Sequence, residues 1–273
     1  QGGLVPNAGN VTAANTVGAN YLANDRFVNE TGTDRTVTYR VRPVFGTTCI
    51  GDWVNVIVTV RPQPVIQPNQ LKTVCSNVAV NREILLVPFN TPAGTTFSWP
   101  LPVMSAGLPQ GTARSNVAAD PAGTIHLNDV LVNYSAAPIT ATYTVTPTSS
   151  FGCAGTATPV IITINPEPIP LPITGRDKIC VTDKNIIYSV TPVAGSTFTW
   201  TVAAAVGTKT FDFNTNAILI DAAAVAGSGN ITVYETNSYS CSGGVSTLPV
   251  QVYTSPAPEV ISGPAIVCQN STQ

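Results

Sequence analysis

At 273 residues the chain has room for two or three domains, and its 44% hydrophobic content argues for packed cores and against disorder. Charged residues are only 10% of the sequence and the net charge is −2, which excludes the basic footprint of a nucleic-acid or anionic-membrane binder. No apolar run approaches the ~18 residues a membrane helix needs, and the opening QGGLVPNAGN has neither the basic nor the apolar region of a signal peptide.

The first clear strands fall at Tyr39–Arg42 and Val54–Val60. Tyr39 and Val41 alternate with Arg40 and Arg42, then Val54, Val56, Val58 and Val60 alternate with Asn55, Ile57 and Thr59. A period of two, rich in β-branched residues, describes half-buried antiparallel strands. If the valines face a core, Trp53 faces away from it, either toward a partner or under cover from elsewhere in the domain. Pro62-x-Pro64 then ends the strand, because proline fixes φ and removes an amide donor. Two prolines one residue apart favour an extended, semi-rigid connector.

Further along, GTTFSW (Gly94–Trp99) predicts a strand whose Phe97 and Trp99 pack inside. His126, the single histidine, reads as a structural residue of a strand, since no nucleophile and acid assemble around it. From Tyr143 the chain repeats itself. YTVTPTSSFGCAGTATPVIITINPEP (Tyr143–Pro168) aligns without a gap on YRVRPVFGTTCIGDWVNVIVTVRPQP (Tyr39–Pro64), so Pro147, Cys153, Gly155, Pro166 and Pro168 each lie 104 residues after their counterparts. NDRFVN (Asn24–Asn29) and NDVLVN (Asn128–Asn133) keep that offset, and their Asn-Asp pairs read as turns. A register held this long is a duplication.

A third copy is looser. GSTFTW (Gly195–Trp200) matches GTTFSW, with Phe198 and Trp200 predicted inside, and Cys241-x-Gly243 matches Cys153-x-Gly155. ITGRDKIC (Ile173–Cys180) returns as ISGPAIVC (Ile261–Cys268). The expected domains are therefore the back half of one unit at 1–63, complete units at 64–167 and 168–257, and the first strand of another at 258–273, a fragment of a longer tandem array. Several short strands per unit of this size predict an all-β chain of tandem β-sandwich domains joined by Pro-rich linkers. DAAAVAG (Asp221–Gly227) could add one helical turn.

Six cysteines in a low-charge, Thr-rich β-array point to an oxidising compartment. Bridges within domains would join Cys75 to Cys153 and Cys180 to Cys241. Bridges across linkers would join Cys49 to Cys75, Cys153 to Cys180 and Cys241 to Cys268, with tidy spacings of 26, 27 and 27 residues. The stiff connector favours the first arrangement, because disulfide Cα atoms must approach within about 7 Å; free thiols are the third reading. Asp212, Asn214 and Asn216 alternate like a calcium loop, but Ala217 stands where that loop needs glycine. No zinc spacing or phosphate loop occurs, so no catalytic residue, cofactor or metal is expected. Sequons stand at Asn10, Asn29, Asn133, Asn230 and Asn270.

Taken together, GPAIVC, TGRDKIC, YSVTPVAGSTFTW (Tyr188–Trp200), the Cys-x-Gly motif and the β-run ending in Pro-x-Pro resemble the PKD-like domains of the Bacteroidetes. The resemblance implies immunoglobulin-like sandwiches strung along giant surface adhesins, exported by the type 9 secretion system and in some cases serving gliding motility. On that basis the chain is expected to be a non-catalytic stalk at the cell surface. Its partners would be the secretion and surface-anchoring machinery and an unknown surface or polysaccharide ligand. Accessory domains of a secreted hydrolase or peptidase, or a filament or sheath subunit, are the alternatives.

Overall fold

A computed structural model describes residues 4–6, 16–18, 21–29, 31–87, 92–119, 124–212 and 216–257. The chain divides into two compact units, Gln1–Pro166 and Glu167–Gln273. The first opens with β1 (Leu4–Pro6), a 3-10 turn at Tyr21–Asn24 and β2 (Phe27–Asn29), which pairs antiparallel with β1. Then come β3 (Arg35–Val41), the short hairpin β4 (Val44–Phe45) and β5 (Cys49–Ile50), and β6 (Val54–Val60), which runs antiparallel to β3 over seven residues. The alternation of β6 makes it a strand, yet neither of its faces is buried among the described residues: Val56 and Val58 are each 39% exposed.

The rest of this unit is a two-sheet sandwich. Its strands are β7 (Gln70–Cys75), β8 (Arg82–Ile84), β9 (Thr96–Trp99), β10 (Val103–Met104), β11 (Arg114–Ala118), β12 (Ile125–Leu127), β13 (Ile139–Thr148) and β14 (Thr158–Asn165). One sheet runs β11-β9-β13-β14-β7 with β10 also on β13, and β12-β8 forms the opposing pair. Alternate residues of β13 and β14 (Ile139, Ala141, Tyr143, Val145; Val160, Ile162, Ile164) point inward onto Phe97, Trp99, Ile84 and Leu127, as the period of two requires.

The second unit repeats the plan with β15 (Lys178–Cys180), β16 (Ile186–Ser189), β17 (Thr197–Val202), β18 (Gly207–Asp212), β19 (Ala217–Ala222), β20 (Gly227–Thr236) and β21 (Ser246–Tyr253). A sheet β15-β21-β20-β17 faces a sheet β16-β19-β18 across Tyr188, Phe198, Trp200, Ile218, Ile220 and Ile231. The chain is thus all-β, built of tandem β-sandwich domains, with both predicted Phe/Trp pairs in the cores.

Two local features differ from the sequence reading. DAAAVAG forms no helical turn: Asp221 and Ala222 end β19 and Gly227 opens β20. There Ala222 pairs with Gly207, whose missing Cβ lets the strands close on the Asp221 carbonyl, and this ladder outweighs the helix preference of three alanines. The Pro-x-Pro segments, in turn, are not free of the domains they enter. Pro62 and Pro64 are buried in the first unit, and Gly155 presses on the Pro64 carbonyl where any Cβ would collide. In the second unit Gly243 presses on the Pro168 carbonyl in the same way. Gly155 and Gly243 are therefore docking points for the prolines Pro64 and Pro168.

Candidate functional site

Among the residues that recur at the offset of 104 are polar ones, Asn29 and Asn133, Asp25 and Asp129, Tyr39 and Tyr143, and the structure shows what each of these pairs does. Asn29 donates both amide hydrogens to carbonyls, of Thr33 at 2.9 Å and Val60 at 2.8 Å, while its Oδ1 accepts from the Thr31 amide and hydroxyl. Asn133 does the same one repeat later, donating to Ala137 at 2.8 Å and Ile164 at 2.9 Å and accepting from the Ser135 amide and hydroxyl. Each asparagine ties a turn to the end of its domain's last strand. The Ser/Thr of the sequon is the turn's second half. With Nδ2 engaged and the residues 2% and 6% exposed, Asn29 and Asn133 are not available for modification. Asn230 is exposed, while Asn10 and Asn270 lie outside the described residues.

The Asn-Asp pairs have a matching explanation. Tyr39 donates its hydroxyl to Asp25 at 2.6 Å, and Tyr143 donates to Asp129 at 2.7 Å. Burial, then the hydrogen bond to the carboxylate and its negative charge, pushes Tyr39 up to about 12 and Tyr143 higher still. Asp129 also accepts from the Thr112 amide, so one carboxylate joins three segments of its sandwich. In the second unit a buried tyrosine of a different strand, Tyr188 on β16, donates to the Arg176 carbonyl at 2.7 Å.

The other candidates are placed as follows. His126 is exposed on β12, paired in register with Glu83 on β8. Asp212 accepts from Lys209 at 2.6 Å and Asn216 donates to the Val190 carbonyl at 2.7 Å; Asn214 lies outside the described residues. Among the described residues no three His, Cys, Asp or Glu side chains gather as a metal site. Trp53 is 46% exposed, with the guanidinium groups of Arg42 and Arg40 at 4.5 and 5.0 Å from its ring centre, so cationic partners cover much of the indole.

The cysteines depart from the favoured expectation. Cys75 and Cys241 are disulfide-bonded, whereas Cys49, Cys153 and Cys180 are free thiols. The pairings Cys75–Cys153 and Cys180–Cys241 are therefore not made, nor are Cys49–Cys75 and Cys153–Cys180. Strand direction is the reason. β7 runs parallel to β14, with Cys75 opposite Asn165 at the far end, while Cys153 precedes β14. The eight residues of β14 separate the two cysteines by about 25 Å, far beyond disulfide reach. β15 likewise runs parallel to β21, setting Cys180 opposite Tyr253 and far from Cys241.

The family comparison agrees with this architecture. One family profile described as a PKD-like domain matches residues 4–64 and 72–168, and a second profile of that description matches 166–252. No curated protein sequence matches the chain. Similar solved structures include the FN1–FN3 domains of chicken CNTN1, at 13% identity and TM-score 0.30, covering 84% of this chain and 78% of that one. Protocadherin gammaB7 EC3-6 aligns at 8% identity and TM-score 0.32 over 84% and 68%. A Bacteroides ovatus SGBP-B in complex with a mixed-linkage heptasaccharide aligns at 12% and 0.23 over 71% and 48%.

Proposed function

Because the chain belongs to the PKD-like domain family, we propose that it is a non-catalytic stalk segment of a large secreted or surface-anchored adhesin. In this reading it is exported by the type 9 secretion system, held at the cell surface by an anchoring machinery, and in the service of adhesion or gliding. The ligand, a surface component or polysaccharide, is bound elsewhere in the protein. The observation that carries the reading is the use to which the duplicated polar residues are put. Asn29, Asn133, Asp25 and Asp129 all clasp strands and turns of their own domains, so what the repeat preserves is a spacer. The disulfide agrees with an oxidising, extracellular setting.

Replacing 64–257 in the whole protein by two unrelated immunoglobulin-like domains tests this. Adhesion of the carrying cells should be retained, and deleting those residues outright should weaken it by shortening the reach. Loss of adhesion in the replacement would show that this segment itself binds.

A further inference from the structure

The duplication inside the first unit lets the sheet of β3 and β6 be compared with its own later copy. At the offset of 104, Arg40, Arg42 and Trp53 stand where the later copy carries Thr144, Thr146 and Ala157. Arg40 pairs in register with Asn55, and Arg42 and Trp53 lie one residue past the Val41–Val54 pair that ends the ladder. Side chains alternate along a strand, so these three share a face with Thr38, Asn55 and Ile57, opposite the valines. All six are exposed. The face continues to the Thr36–Thr59 pair, about 20 Å along the sheet.

The three side chains are brought together at one end of this face. The Arg40 and Arg42 guanidinium carbons lie 5.0 and 4.5 Å from the centre of the Trp53 ring, held by the attraction of its π-system for positive charge. Among the described residues neither guanidinium makes an ion pair, although Asp52 adjoins Trp53 in the sequence. Two like charges gathered on one indole repel each other, and both keep forked N–H donors to offer. An anionic group between them removes the repulsion and satisfies the donors.

We propose that Arg40, Arg42 and Trp53 form a binding site for an anionic polysaccharide, one that bears sulfate or uronate groups. The guanidinium pair takes the anionic group in charge-assisted hydrogen bonds. Trp53 holds the pair in place and offers the exposed part of its indole to a sugar ring. Farther along the face, Thr38 and Asn55 supply a hydroxyl and an amide for sugar hydroxyls. An acidic protein partner would need a continuous apolar centre, and on this face Asn55 separates Trp53 from Ile57. The later copy, with two threonines and an alanine at these positions, lacks the site. The site lies outside residues 64–257 and is independent of the stalk reading, which its failure would leave intact.

Trp53 supplies the readout, because the other two tryptophans, Trp99 and Trp200, are buried at 6% and 4% exposure. Dextran sulfate or polygalacturonate added to the full chain should shield Trp53 from acrylamide quenching, and unsulfated dextran should not. The variant Arg40→Thr/Arg42→Thr adopts the residues that the later copy already carries, so its fold should be kept. Its affinity for the polyanion should fall at least about tenfold. Trp53→Ala, followed by calorimetry, should also bind more weakly although its net charge is unchanged. Arg114→Thr, which removes an exposed charge elsewhere in the unit, should bind as the unaltered chain does. Absence of shielding by both polyanions would overturn the site, as would unchanged affinity in either the double variant or Trp53→Ala. An equal loss in Arg114→Thr would overturn it too, by showing diffuse charge attraction. Poly-glutamate binding as tightly as the polysaccharides would overturn the assignment and make the face a seat for an acidic protein.

Discussion

Asn133 spends both amide hydrogens on backbone carbonyls in a nearly dry site, and that is the costliest kind of hydrogen bond to remove. Asn133→Ala strands the Ile164 and Ala137 carbonyls and should destabilise its domain by about 2–3 kcal/mol, read as a lower urea midpoint with an unchanged slope. An effect within ~0.5 kcal/mol would mean water replaces the side chain. Tyr143 makes a second prediction at this scale. Its folded-state value is raised above the ordinary 10.0, so the stability it contributes is fully present below about pH 10. At higher pH the unfolded chain releases the phenol proton that the folded chain keeps, and stability falls. The urea midpoint should drop above pH 10 and drop less steeply in Tyr143→Phe; parallel curves would contradict the assignment.

Among the elements, the hairpin carrying Cys153 and Gly155 depends on a backbone approach that only glycine allows. Gly155→Ala should push the hairpin off the Pro64 carbonyl and cost about 2 kcal/mol in urea unfolding, whereas Gly152→Ala, a change at an open position with φ +80°, should cost only the roughly 1 kcal/mol of left-handed backbone. Equal losses would mean the docking is not tight. The β-strands, the duplication and the buried Phe/Trp pairs were legible in the sequence, because alternation and a gapless offset are local or self-referential signals. The direction of β7 was not. Nothing in QLKTVC announces that it lies parallel to β14, and that one fact moves Cys75 to the opposite end of the sandwich from Cys153. The asparagine clasps were visible as recurring letters but read as sequons and turns, since their acceptors, Val60 and Ile164, lie 31 residues away. Burial of β6 was expected from its valines alone, yet alternation reports periodicity and not what covers a face.

For the molecule as a whole, each compact unit closes a hydrophobic core of its own, one around Tyr143 and Phe97 and the other around Tyr188 and Trp200. Sandwiches stabilised in this way suit the proposed role, in which the segment supplies length and the ligand is bound elsewhere. Adhesion of cells carrying the whole protein, with residues 64–257 exchanged for two unrelated immunoglobulin-like domains, measures this directly. Adhesion should stay at the level of the unaltered protein, and its loss in the exchange would contradict the account.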